Sequence, residues 1–334
     1  MKKRILRTAL VFLILFLIAA AAFAFWRHRQ MAPRDIPVLM YHNILPPSPD
    51  LTVWQVSSDE FAWQMGQLAE AGYTPVLPSA IARAARGLGS LPKKPIVITF
   101  DDGYYGVARN AEPILAQHRF KAICYAIVGR IGGSGYDRGV FDSGPLLSTN
   151  ELVALAARGH IAVGSHSMTH SRSPQCLAAE IVPSRRALRD LGIRTRDYCY
   201  PYGLHGYDYM YDALRQGHYT TAFICEDEMF HYGTDTNLFA IPRISVYGGL
   251  HRISLLSVDP DSSQVVFANY GASIPLRAVV RDLATGRSWS SDLARVGGPD
   301  PVAFSFPPEA LDGPRSIEAW DKFGIFRYYP VPQS

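Results

Sequence analysis

The sequence predicts an α/β fold built on a parallel sheet or a (β/α) barrel, followed by a smaller all-β, sandwich-like domain. Three observations support that prediction. Between residue 36 and about residue 246, short apolar runs alternate with helix-period stretches, the strand–helix–strand order that parallel sheets require. Several of those runs end directly in polar clusters. Beyond Tyr247-Gly248-Gly249 the helical period vanishes, and short β-rich runs are divided by turn signals.

In chain order, the first feature is the uncharged segment 9–26, rich in Leu, Ile, Phe and Ala and flanked by Lys2, Lys3, Arg4 and Arg7 before it and Arg27 and Arg29 after it. As a helix rising about 1.5 Å per residue it would reach roughly 27 Å, close to the hydrocarbon thickness of a bilayer. Ala22-Phe23-Ala24 offers a signal-peptidase site. The apolar run is nevertheless longer than a usual secretory core, and the cations behind it suit a membrane stop. Residues 1–30 therefore read as an uncleaved signal anchor, with a cleaved signal as the alternative. Residues from about Met31 onward are expected to be extracytoplasmic, membrane-anchored in the first case and secreted in the second.

The remaining elements follow from local pattern. Ser57 and Glu60 have capping-box spacing ahead of Phe61, Met65 and Leu68 on one helical face, and Gly72 marks the stop. Residues 96–100 read as a buried strand; Ala108, Ala111 and Leu115 mark the next helix; residues 121–127 give another strand. After a glycine-rich loop over 129–144, a helix around 151–157 leads into a strand at 161–163. Residues 198–200 and 220–225 complete the strand candidates of this part. In the tail, residues 265–270, 276–283, 302–306, 317–320 and 325–329 are β-rich, with turns at Thr285-Gly286 and Asp312-Gly313-Pro314. The expected divisions are 1–30, 31–247 and 248–334, and no fixed-period repeat is visible.

Composition limits function. The chain has 334 residues, 48% hydrophobic and 19% charged, which excludes a disordered polymer. Its net charge of +4 is misleading: six of the 33 Lys and Arg lie in the first thirty residues, leaving 27 bases against 29 acids. A body at −2 offers no general basic surface, so no nucleic-acid partner is expected. Cys124, Cys176, Cys199 and Cys225 are widely spaced without a Cys-x-x-Cys pair, which disfavours a zinc ribbon. Three of them, Cys124, Cys199 and Cys225, lie in apolar runs and read as buried free thiols. No Gly-x-Ser-x-Gly or phosphate-binding glycine motif occurs.

Two clusters carry chemistry. Thr99-Phe100-Asp101-Asp102-Gly103 closes the strand 96–100, and adjacent acids behind a buried strand are costly without a cation beside them. Neighbouring residues point different ways, so one carboxylate can bind a metal while the other handles protons. Gly164-Ser165-His166-Ser167-Met168-Thr169-His170 follows the strand 161–163, and histidines four apart can face one ion from one helical turn. An Asp-Gly turn and a chance surface pair are the bland alternatives for each cluster alone. Together, one carboxylate and two imidazoles leave coordination positions open, as catalytic sites do. Tyr200-Pro201-Tyr202-Gly203 and His42 also follow strand candidates, so four polar sites converge on the carboxyl rim of the sheet, where parallel α/β barrels build active sites.

Residues 99–103 and 166–170 resemble the first two motifs of the polysaccharide deacetylase family, carbohydrate esterase family 4. Val38-Leu39-Met40-Tyr41-His42 and Tyr200-Pro201-Tyr202-Gly203 resemble the branch that de-N-acetylates poly-N-acetylglucosamine. The resemblance covers residues 36–246 and implies a distorted (β/α) barrel with a polysaccharide substrate. It further implies that Asp102, His166 and His170 bind a divalent metal ion, zinc in the first instance with cobalt or nickel as alternatives. Asp101 is then the general base that takes a proton from the attacking water, the Tyr202 backbone N–H supports the oxyanion together with the metal, and His42 protonates the departing amine. In this branch the last barrel motif is moved to the front of the chain. Two departures stand out. The family's Arg two residues before the Pro-Tyr is Cys199 here, and no Asp-to-Trp motif accompanies the acid. Arg243 is a candidate replacement, with an ordinary structural ion pair as the preferred reading.

His118, His218, His231 and His251 are the other histidines that could serve as the acid, and an acidic, solvated loop is the expected setting of His231. Trp289, Trp320, Tyr328 and Tyr329 could stack sugars but read more simply as sandwich core. Two other functions stay open: a 2-His-1-carboxylate non-haem iron enzyme, and a catalytically degenerate glycan-binding or export protein, motivated by Cys199.

Overall fold

The computed structural model describes residues 34–330 apart from 49, 53, 132–143, 227, 234–235, 249–252, 270–273, 293, 297–300, 314 and 322–325. The apolar segment 9–26, most of the glycine-rich loop and His251 lie outside the described residues. Among those described, no helix is long and apolar enough to cross a membrane.

The chain opens with β1 (Arg34–Ile36), β2 (Val38–Tyr41), β3 (Asn43–Leu45) and β4 (Gln55–Ser57), then helix α1 (Ser58–Glu70). The Ser57 hydroxyl caps α1 by accepting the Glu60 N–H, and Phe61 and Met65 face the core as their spacing predicts. Next come β5 (Thr74–Pro75), α2 (Pro78–Ala85) and β6 (Pro95–Phe100), whose six residues are all buried, as in a central strand covered on both faces. A π-helical turn over Val107–Ala111 runs into α3 (Glu112–Gln117) and then β7 (Ala122–Ala126). Helix α4 (Thr149–Arg158) starts on a reciprocal Ser148/Glu151 capping box and stops at left-handed Gly159. It leads through β8 (Ile161–Ser165), α5 (Pro174–Asp190), β9 (Asp197–Cys199), α6 (Asp208–Gln216), β10 (Thr221–Phe223) and β11 (Phe230–Tyr232) to β12 (Ile244–Ser245).

The main sheet has the order β10-β9-β8-β7-β6-β2-β12, every neighbouring pair parallel, with β5 beside the start of β6. Its two ends are joined by one segment. Ile241 bridges Phe223 of β10 in parallel, and three residues later Ile244 pairs with Leu39 of β2. That seam curls the sheet into a barrel and carries Arg243 across its interior. Leu39, Ile98, Phe100, Leu115, Leu152 and Val163 belong to the largest apolar cluster, between sheet and helices.

The tail forms β13 (Ile253–Asp259), β14 (Gln264–Asn269), β15 (Ile274–Asp282), β16 (Ser288–Ser290), β17 (Ala294–Val296), β18 (Val302–Ser305), β19 (Arg315–Asp321) and β20 (Phe326–Pro330). Two antiparallel sheets result, β13-β14-β18 and β16-β15-β19-β20 with β17 also on β15. Val265, Phe267 and Phe304 of one sheet share a core with Leu276, Val280 and Ile317 of the other, the expected sandwich packing. Strand β13 was not among the sequence candidates because a register shift between Leu255 and Ser257 breaks its alternation. Trp289 packs against this core as expected, while the side chains of Trp320, Tyr328 and Tyr329 lie outside the description.

All four cysteines are free thiols. Cys124 and Cys199 are buried as predicted, but Cys225, two residues beyond the end of β10 at Phe223, is exposed.

Candidate active site

Strand β6 delivers Asp101 and Asp102 to the barrel rim, and the Asp101 N–H still donates to Tyr41 O of β2 (2.9 Å). Asp102 then turns left-handed, with φ 71°, followed by Gly103 at φ 82°. This reversal aims the two carboxylates at different partners. Asp102 Oδ1 lies 3.6 Å from His166 Nε2 and 3.6 Å from His170 Nε2, whereas Asp101 turns to Arg243.

The two histidines do not share a helical turn, as their spacing suggested. Residues 166–170 form a loop after β8 in which Ser167 (φ 65°) and His170 (φ 60°) are both left-handed, and the His170 N–H donates to Ser167 Oγ. Left-handed turns outside glycine carry no spacing signature, so the two histidines meet through a loop and not through a helical turn. The Glu180 carboxylate on α5 braces this loop by accepting the Met168 and Thr169 N–H groups, both at 3.0 Å, and the Thr169 hydroxyl at 2.6 Å. Gly129 is required opposite: a Cβ there would stand 2.5 Å from Met168 O.

Four of the seven described non-glycine residues with positive φ, namely Asp102, Ser167, His170 and Tyr202, lie in these rim loops. Each costs on the order of 1–2 kcal/mol, and such strain gathers where side-chain placement must be enforced.

The ligand set fits a tetrahedral metal ion. Donor atoms about 2.0–2.2 Å from such an ion stand about 3.4 Å apart, and those of Asp102, His166 and His170 all lie within 4.8 Å of one another. His166 Nδ1 meets Cys199 O at 2.8 Å. A carbonyl only accepts, so Nδ1 carries the proton and Nε2 presents its lone pair inward. Burial, reinforced by His166, lowers the pKa of His170 well below its ordinary value and keeps that imidazole neutral for ligation.

A second cluster, Asp101, His166 and Cys199, has the same compactness but is unsuited to a metal. Arg243 Nη1 and Nη2 each donate to one Asp101 oxygen at 2.7 Å, and Cys199 Sγ stands 3.5 Å from Oδ2 as a thiol donor. Burial raises the Cys199 pKa well above the usual thiol value, so it holds its proton.

Arg243 overturns the sequence expectation of an ordinary structural ion pair. It is fully buried and also donates to Thr99 Oγ1 (3.1 Å) and Ile224 O (3.0 Å), while Cys225 Sγ lies 3.2 Å from Nη2. Burial alone would raise the Asp101 pKa, but the Arg243 guanidinium, with help from His166, holds it well below the carboxylate range. Cys199 and Arg243 thus both contact the Asp101 carboxylate, the thiol from β9 and the guanidinium from the barrel seam.

Tyr202 occupies the turn Pro201–Gly203 with φ 55°, and its ring lies between two partners: His170 at 4.4 Å and the Arg172 guanidinium at 4.1 Å from the ring centroid. His42 follows β2, half-buried. Burial lowers its pKa against the opposing pull of Asp102 and Asp101, which places it in the field of the same carboxylates. The indole of Trp54 packs on its ring at 4.9 Å.

The substitute histidines belong elsewhere. His118 and His218 sit at the carboxyl ends of α3 and α6, and His231 lies in β11, bonded to Asp35 at 2.6 Å rather than set in an acidic loop. Trp54, Glu180 and Arg172 went unnoticed in the sequence, since none has a periodic or motif signal.

Residues 89–221 match the family model described as polysaccharide deacetylase. The chain carries a polysaccharide deacetylase domain. Among curated relatives, Bacillus subtilis YxkH, named as a candidate polysaccharide deacetylase, is 25% identical over 243 residues, covering 71% of this chain and 76% of that protein. The poly-beta-1,6-N-acetyl-D-glucosamine N-deacetylase of Escherichia coli K12 is 35% identical over 91 residues, 27% of this chain and only 13% of the relative. Among solved structures, IcaB from Ammonifex degensii is 25% identical with a TM-score of 0.53, covering 64% of this chain and 91% of that one. Streptococcus pyogenes PplD, solved with acetate, shares the fold at 23% identity and a TM-score of 0.56, covering 66% of this chain and 95% of its own. The deacetylase match gives no support to the iron-oxygenase alternative.

Proposed function

We propose that this polysaccharide deacetylase is a metal-dependent enzyme that hydrolyses the acetamide of N-acetylglucosamine units in an exported glycan, outside the cytoplasm, and that residues 1–30 tether it to the membrane. The division of labour between two adjacent carboxylates supports this reading most directly: Asp102 faces His166 and His170, and Asp101 is held apart by Arg243. A divalent ion bound by Asp102, His166 and His170, zinc or alternatively cobalt or nickel, supplies positive charge that acidifies water and polarises the acetyl carbonyl.

The chain's own groups perform the proton chemistry. Asp101 stays ionised because Arg243 neutralises it, and its carboxylate accepts the proton of the attacking water. The backbone N–H of Tyr202, held in a left-handed turn on the same rim, would stabilise the developing oxyanion. His42, in the field of the carboxylates, delivers a proton to the departing amine. The poly-N-acetylglucosamine reading draws on the names of the Escherichia coli and Ammonifex relatives, and the extracytoplasmic reading on the cation-flanked segment 9–26. A degenerate binding protein is disfavoured because Arg243 restores the charge that Cys199 lacks.

The test is acetate release from N-acetylglucosamine oligomers and O-acetylated glycans, with chelation and metal add-back. Chelation should abolish release and zinc or cobalt should restore it. Release that survives thorough chelation defeats the metal-dependent reading, and release from O-acetylated glycans alone defeats the amide reading.

A further inference from the structure

One short segment serves the site twice. Strand β12 pairs with β2, with Arg243 just before it and Tyr247 just after it. Arg243 reaches Asp101. The Tyr247 ring lies 5.4 Å from the Trp54 ring, and the Trp54 ring lies 4.9 Å from that of His42, so ring contacts connect Tyr247 through Trp54 to the acid. Tyr247 also packs against the core of the C-terminal β unit.

The backbone reinforces that line. A Cβ on Gly248 would fall 1.9 Å from Gln55 O and 2.8 Å from Gln55 C, so the chain entering the β unit is seated directly on the residue after Trp54. Gln55 is in turn paired with Asn43, the residue after His42, in the β3–β4 ladder. His42 and Trp54 are therefore linked by backbone as well as by ring contact, and the junction at residues 247–248 presses on both.

We propose that Trp54 and Tyr247 are positioning residues for His42, and that the C-terminal β unit contributes to catalysis by holding Tyr247 against Trp54. The proposal rests on the reading of His42 as the general acid. It gives the β unit a role in the active-site wall, independent of any sugar binding of its own. Misplacing a proton donor by about 1 Å can cost around a hundredfold in rate. Partial release of one aromatic contact should cost less, about tenfold.

The experiment uses the full chain and measures kcat and KM for acetate release in Trp54→Ala, Tyr247→Ala and Tyr247→Phe, each alone and combined with His42→Ala. The alanine variants should lower kcat about tenfold with KM within twofold, Tyr247→Phe should keep kcat within twofold, and neither alanine should add more than twofold to His42→Ala. If Tyr247→Ala does not fold, Tyr247→Leu preserves apolar bulk against the β core while removing the ring from Trp54. The His42 Hε1 proton resonance, identified by its loss in His42→Ala, should also shift in Trp54→Ala and in the Tyr247 variant used. If His42→Ala retains full kcat, the acid assignment falls and takes the catalytic proposal with it. If His42→Ala is impaired but the Tyr247 effect is absent or simply multiplies with it, the acid assignment stands and the positioning proposal is overturned.

Discussion

Replacing Arg243 by methionine removes one buried charge and leaves the other. In the protein, Asp101 and Arg243 form two 2.7 Å bonds with both side chains essentially inaccessible. Unit charges about 4 Å apart attract by about 4 kcal/mol at an effective dielectric near 20, and breaking one side of such a pair typically costs about 3–5 kcal/mol. Arg243→Met should therefore destabilise the barrel by about that amount in urea denaturation of the metal-free protein. Asp101→Asn should also destabilise, by stranding the guanidinium. The double variant should recover part of the loss, with a coupling of at least about 2 kcal/mol. The pH dependence has a definite sign. Without Arg243, burial raises the Asp101 pKa above its unfolded value, so the charged form is penalised once pH exceeds that value, and the deficit must be larger at pH 8 than at pH 5. Additive single effects, or a deficit below about 1 kcal/mol, would refute the claim that this pair is the base's support.

Three further outcomes follow from other parts of the structure. Asp197, buried at the start of β9, has its pKa pushed up to about 6 by burial, only partly offset by the Thr221 hydroxyl bond of 2.6 Å. Its folded pKa exceeds the unfolded one, so stability falls as pH rises from the unfolded value through about 6, by roughly 3 kcal/mol in total; Asp197→Asn should flatten the change in Tm between pH 5 and pH 8, and an unchanged slope would count against it. Gly164→Ala places a Cβ 2.4 Å from two Tyr125 ring atoms and should cost about 1–3 kcal/mol in urea, a neutral result being incompatible with this packing. Cys199→Arg should lower Tm in the parent, where Arg243 fills the pocket, and lower it less when combined with Arg243→Ala; equal losses in both backgrounds would contradict the exchange of arginines.

The legible parts of this protein were those encoded locally. Strand β6 reads as unbroken apolar sequence because both its faces are covered, and the acids behind it mark the rim. The same logic located His166, His170, Tyr202 and His42. What stayed hidden depends on distance or on handedness. Arg243 meets Asp101 across 142 residues of chain, because the seam between β10 and β12 returns it to the interior, and no local pattern announces that closure. The histidine loop was assigned a helical turn because spacing alone cannot reveal the left-handed residues at 167 and 170. Trp54 and Tyr247 carry no local signal, and only the fold brings their rings into contact with each other and with His42. Cys225 was misjudged by its apolar neighbours, since β10 ends two residues before it.

The central claim is that Asp102 belongs to the metal while Asp101 belongs to the reaction. Bound metal and acetate release, determined together on the parent and on Asp101→Asn with an N-acetylglucosamine oligomer, test it most directly. The account predicts that Asp101→Asn retains one divalent ion per chain and loses at least about a hundredfold in rate, the contribution expected of a general base. An Asp101→Asn protein that releases acetate at the parental rate, or that fails to bind the ion, would contradict it.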